Sequence, residues 1–117
     1  MDICVRDASP KGRGVFAQRR FAEGETIERC PVIVLPDPEW ELLEETVLRD
    51  YYFYWDEHAA AIAAGCGMFY NHSETPNAEA IPLPGEGVME FVALQAIDVD
   101  EEITIRYRCP PWFEVAA

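Results

Sequence analysis

The segment Gly65-Cys66-Gly67-Met68-Phe69-Tyr70-Asn71-His72-Ser73-Glu74-Thr75-Pro76-Asn77 constrains this chain more than any other. Its apolar run stops abruptly at Asn71-His72-Ser73, and Pro76-Asn77 follows soon after. An Asn or His that enters a protein interior must find partners for its donors and acceptors. A fold that accepts this segment has to bring other polar groups to meet it. Taken alone, Asn71-His72-Ser73 also fits a turn capped by its own side chains.

Size and charge bound the rest. A chain of 117 residues is one domain, and half of its residues are hydrophobic. At this size only roughly two-thirds of the unfolded surface can be buried, so a partner would add to a modest stability. No apolar stretch approaches the ~20 residues of a membrane span. The N-terminus lacks the basic and apolar regions of a signal peptide. A soluble, intracellular protein without a membrane partner is expected. The balance of 22 acidic against 9 basic residues gives a net charge of -13. That disfavours direct contact with nucleic acid and favours a basic protein or peptide, though solubility alone would also account for it. Cys4, Cys30, Cys66 and Cys109 are scattered, with no C-x-x-C pair and two histidines in the chain, so no metal site is expected. Free thiols suit an intracellular setting.

Ile3–Asp7 and Val15–Gln18 read as short strands separated by the Ser9-Pro10-Lys11-Gly12 turn. Thr26–Leu35 is rich in β-branched residues and predicts a strand pair, or one long strand broken near Pro31. Asp37 can cap a helix that has Pro38 in first position, and Trp40, Leu43, Val47 and Leu48 extend it to about Arg49. Tyr51–Trp55 predicts an aromatic strand. Ala59–Ala64 predicts a short helix ended by Gly65. Ala78–Leu83 and Val88–Ile97 flank Pro84-Gly85-Glu86-Gly87 as a hairpin, and Ile103–Ile105 is a last strand. Pattern alone gives a mostly-β domain with one helix.

Two other segments bear on chemistry. In Lys11-Gly12-Arg13-Gly14-Val15-Phe16-Ala17, paired glycines let the backbone approach a ligand, although turn glycines are commoner. In Asp100-Glu101-Glu102-Ile103-Thr104-Ile105-Arg106-Tyr107, an acidic pair precedes a strand that ends in tyrosine. With the Asn-His-Ser segment, and in this order, they resemble the three signature blocks of the SET-domain family of protein-lysine methyltransferases. The resemblance runs from about Lys11 to Tyr107 and looks nearest to the very short viral-type SET proteins. It implies one SET domain over 1–117 with a tail at 108–117. The implied fold is mostly β with minor α, β-clip-like, built of small curved sheets. It also implies a C-terminal pseudoknot, in which the Asn-His-Ser segment threads under the loop of the final tyrosine against the usual rule on threaded loops.

The implied activity is methyl transfer from S-adenosylmethionine to the ε-amine of a lysine in a basic, histone-like protein. The implied assembly is a homodimer, and a histone substrate would place it in the nucleus rather than the cytoplasm. Residue by residue, Gly12, Arg13, Gly14, Asn71 and His72 would hold the cofactor, with Arg13 contributing mainly backbone. Trp112 would cover the adenine. Tyr107 and Tyr51 would wall the catalytic channel, and Glu102 would anchor the threaded loop. The family often has a second tyrosine soon after the catalytic one, where this chain has Arg108-Cys109-Pro110-Pro111. That departure leaves open the number of methyl groups added, and a module that binds a peptide without catalysis is the alternative.

Overall fold

The computed structural model describes residues 2–107. Strand β1 (Ile3–Asp7) turns back into β2 (Arg13–Ala17), with Ile3 opposite Ala17 and Asp7 opposite Arg13. Gly12 lies in this turn at φ +84°, a conformation that costs glycine little and other residues much. Strand β3 (Thr26–Pro36) is continuous rather than broken. Its first half pairs with β8 (Val88–Ala93) and its second half with β5 (Ala59–Ala63). The changeover falls at Pro31, whose backbone has no N–H to give to a ladder.

Two sequence-based expectations change here. Ala59–Ala63 is a strand, not a helix. Alanine is the best helix former, but these alanines lie between β3 and β4 (Phe53–Asp56), where Ala60 and Ala61 are fully buried. Pairing on both sides overrides intrinsic propensity. Helix α1 is also shorter than expected: it spans Asp37–Leu43, has Pro36 rather than Asp37 at its N-cap, and makes no side-chain cap bond. Thr46 ends it, donating its hydroxyl to the Leu43 carbonyl at 2.8 Å and accepting from the Leu48 N–H at 3.2 Å. One 3-10 turn over Val47–Asp50 follows. Trp40 and Leu43 pack α1 onto Tyr52 and Tyr54, while Val47 is exposed. Of the aromatic run, Phe53–Trp55 lie in β4 and Tyr51 precedes it.

The strands form two sheets. The first has the order β1-β2-β9-β6, with β9 at Glu102–Ile105 and β6 at Asn71–His72. The second has the order β4-β5-β3-β8-β7, with β7 at Ala78–Leu83 joined to β8 as the expected hairpin. Residues from its two outer strands, β4 and β7, line one groove, so this sheet curls until its edges face each other. Val15, Phe21, Tyr70, Phe91, Ile97, Ile103 and Ile105 fill the space between the sheets. The result is the expected mostly-β domain of small curled sheets.

The pair β6–β9 is parallel, Asn71 opposite Thr104 and His72 opposite Ile105, and it lays the Asn-His-Ser segment against the final motif. Asn77 fastens the same two segments. Its Nδ2 donates to the Glu102 carbonyl at 2.8 Å, and its Oδ1 accepts the Thr104 N–H at 2.8 Å. Asn77 is buried, so its removal strands both backbone groups. Each stranded group costs roughly 1–3 kcal/mol. Asn77→Ala should lower unfolding free energy by about 2 kcal/mol or more in urea denaturation, with little change in far-ultraviolet circular dichroism.

Candidate active site

Three segments far apart in sequence meet at one side chain. Asn71 Nδ2 donates to the Arg13 carbonyl at 2.9 Å and to Glu102 Oε2 at 2.8 Å. Both amide hydrogens are thereby spent on the protein, and what Asn71 offers a ligand is its Oδ1. The other Glu102 oxygen receives the Lys11 ammonium. The Glu102 side chain is 17% exposed, a carboxylate whose burial is offset by charged and neutral donors together. Gly14 is where the three segments touch. A Cβ there would lie 2.5 Å from Glu102 Oε2 and 2.8 Å from Asn71 Nδ2. Its small size serves the junction itself.

This junction borders a cavity of about 510 Å³, lined by Asp7, Lys11, Gly12, Arg13, Tyr51, Met68, Phe69, Asn71 and Tyr107. That volume lies within the roughly 300–1,000 Å³ of small-molecule sites. Gly12, Arg13, Tyr51, Asn71 and Tyr107, which the sequence singled out separately, share this one cavity. Gly14 and His72 are not among its lining residues, and Trp112 lies outside the described residues. The Arg13 guanidinium sits 4.8 Å from the centre of the Phe69 ring, a cation-π contact that holds its charge at the cavity wall.

A second, narrow cleft of about 10 Å³ adjoins the first and shares Tyr51, Met68 and Tyr107 with it. Asp50, Tyr52, Phe53, Gly67 and Tyr70 complete its lining. Tyr107 is fixed at both ends. Its phenol donates to the Tyr70 carbonyl at 2.5 Å, and its amide N–H donates to His72 Nδ1 at 3.0 Å. The other ring nitrogen of His72 is 3.0 Å from Glu74 Oε1. That hydrogen bond first, then the charges of His72 and Arg106, hold the Glu74 carboxyl below the usual carboxylate range.

Glu28 supports the cleft from behind. One of its oxygens accepts the Tyr70 hydroxyl at 2.9 Å and the other the Cys66 N–H at 3.0 Å. Gly65, at φ +67°, leaves room for that carboxylate, since a Cβ would come within 2.5 Å of Glu28 Oε2. Sequence reasoning missed Glu28. Its one signal was an acid between Ile27 and Cys30, beside Arg29, in a segment read as a β-branched strand. Asp7, Met68 and Phe69 were missed too, because nothing in their spacing marks a ligand.

Burial, and then the Glu28 charge, push the Tyr70 phenol far above its ordinary pKa. A group with a raised folded pKa gives its full stabilisation below the unfolded pKa, here ~10, and loses it as pH rises beyond. Above pH ~10 Tyr70 should therefore remove about 1.4 kcal/mol of stability per pH unit. Urea denaturation across pH 9 to 11 should show a shallower fall for Tyr70→Phe than for the wild type.

The chain is similar to known proteins in both sequence and fold. A SET-domain family model matches residues 12–108. The histone-lysine N-methyltransferase, H3 lysine-37 specific, of Schizosaccharomyces pombe (strain 972 / ATCC 24843) is 33% identical over 111 residues, which cover 94% of this chain and 76% of that protein. The crystal structure of a Plasmodium falciparum histone methyltransferase candidate superposes with a TM-score of 0.73 at 28% identity, covering 96% of this chain and 97% of that one.

Proposed function

Because the chain belongs to the SET-domain family, we propose that it uses S-adenosylmethionine to methylate a lysine in a histone tail or similarly basic protein. It is a protein-lysine methyltransferase. The observation that carries the fuller reading is the shared wall of Tyr51, Met68 and Tyr107 between a ligand-sized cavity and a narrow aromatic cleft.

The cavity fits the cofactor's amino-acid end. Asn71 Oδ1 is an acceptor for an ammonium, and the backbone at Gly12 comes to the wall without a side chain in the way. Arg13 offers a cation for a carboxylate. Bound there, S-adenosylmethionine supplies an electrophilic methyl group on a positive sulfur. The cleft as it stands is too narrow for a lysine; once it widens, Tyr51, Phe53, Tyr70 and Tyr107 would line the target side chain and exclude water. A lysine with pKa near ~10.4 needs about 4 kcal/mol to give up its proton at neutral pH. Desolvation between aromatic walls lowers that cost, so the chain needs no dedicated base. The rings also favour the methylated ammonium product. Holding amine and methyl in line supplies much of the remaining acceleration.

The substrate backbone has a place as well. The groove of about 310 Å³ between β4 and β7 shares Phe53 with the cleft. A peptide added there as a strand would run between β4 and β7, the outer strands of this sheet among the described residues. The net charge of -13 supports a basic substrate rather than direct nucleic-acid contact. Exposed Ile33, Leu42 and Val47 offer apolar surface to a second copy, in keeping with a homodimer. A histone substrate implies a nuclear site of action, and no described helix is long and apolar enough to cross a membrane.

Isothermal titration should give micromolar binding of S-adenosylmethionine. Mass spectrometry should detect methyl transfer to recombinant histone H3. Tyr107→Phe removes the bond to the Tyr70 carbonyl and should lower kcat about tenfold or more while cofactor binding stays within about twofold, as expected for one lost hydrogen bond near the reacting atoms. Binding without transfer to any lysine-containing protein would point to the non-catalytic module instead.

A further inference from the structure

His72 stands at the centre of the Asn-His-Ser segment, yet its ring is not part of either cavity wall. Its side chain is spent on protein contacts. Nδ1 accepts the Tyr107 N–H at 3.0 Å, and the imidazole lies 5.3 Å from the Tyr107 ring, tilted by 56°. Nε2 faces Glu74 Oε1 at 3.0 Å. An amide N–H only donates, so Nδ1 must carry a lone pair, and Nε2 must hold the proton that meets Glu74. The bond at Nδ1 follows β9 by two residues and fixes the backbone that carries the phenol to the Tyr70 carbonyl.

We infer that His72 is a positioning residue for Tyr107, and that a second proton on its ring releases the Tyr107 backbone and unsets the methyl-transfer site in mildly acidic conditions. The inference rests on the reading of Tyr107 as a wall of the reaction channel. The charged and titratable groups against the ring, among the described residues, are Glu74 in the loop after β6 and Arg106 and Tyr107 at the end of β9. Arg106 lies 3.7 Å from the far oxygen of Glu74, so the carboxylate is shared between the His72 ring and the Arg106 guanidinium. A proton arriving from water at Nδ1 places two N–H groups head to head, that of the ring and that of Tyr107. One of them must turn away. Glu74 keeps its bond to Nε2 in both states, so the change falls on the Tyr107 side.

Two measurements test this. The first needs neither cofactor nor substrate. The chain has two histidines, and His58→Asn separates their signals. Long-range proton–nitrogen spectra at pH 7.5 should show His72 as the Nε2–H tautomer. On acidification the Tyr107 amide resonance should move with the same midpoint as the His72 ring. The second measurement uses His72→Asn, whose Oδ1 takes the place of Nδ1 and accepts no proton in this range. With S-adenosylmethionine and recombinant histone H3, the variant should be slower than the wild type at pH 8.5. The wild-type to variant ratio of kcat should then fall about tenfold by pH 5.5. An Nδ1–H tautomer, a Tyr107 amide indifferent to His72, or a ratio flat with pH would overturn the inference. Failure of the wild type to methylate histone H3 at any pH would count against the functional reading, and the spectra would still decide the role of His72.

Discussion

The Glu102 carboxylate, held between the Asn71 amide and the Lys11 ammonium, is the contact on which the rest of the site depends. Each of its partners comes from a different signature segment, and none of those segments makes a pocket alone. A mostly buried carboxylate is costly unless its oxygens are satisfied, so this one drives the segments together and fixes their register. Gly14 follows as a requirement, because any side chain there would occupy the space of Asn71 and Glu102. Asn71, with both amide hydrogens committed, is left with Oδ1 as its remaining polar atom beside the cavity. In the function we propose, cofactor recognition and the closing of the fold are two ends of one amide group.

A second, partly buried acid, Glu28, does similar work behind the cleft. It reaches from β3 to the Tyr70 hydroxyl and the Cys66 amide, tying the curled sheet to the wall that Tyr107 leans on. Tyr70 then stacks on Phe91 with ring centres 4.2 Å apart, which joins the cleft to the main core. The chain from Glu28 through Tyr70 to Tyr107 and His72 runs through packed, hydrogen-bonded groups. A domain of this size can in this way hold a tyrosine that is itself 40% exposed.

Much of this was legible in the sequence, and for definite reasons. The three blocks that resemble SET proteins are local patterns, and local patterns survive into the structure: the β1–β2 and β7–β8 hairpins and the final strand lie where turns and β-branched runs put them. What was not legible depended on partners distant in sequence. Ala59–Ala63 carries the composition of a helix and becomes a strand because β3 and β4 flank it. Leu43 and Val47 look like one helical face, yet Thr46 caps the helix between them. Asn71 stood out as a polar group closing an apolar run, but the commitment of both its hydrogens to Arg13 and Glu102 was not legible. Nothing in Asn-His-Ser shows that the His72 ring would turn toward the Tyr107 backbone, since that bond joins residues 35 apart.

The central claim is that the meeting of β6 with β9 creates a cofactor pocket whose far wall is the methyl-transfer channel. The most direct test is a crystal structure with S-adenosylhomocysteine. The account predicts its amino-acid end at Asn71 Oδ1, between the Gly12 backbone and Arg13, with its sulfur facing Tyr107. Density for the ligand elsewhere, or none at millimolar soaks of well-ordered crystals, would contradict it.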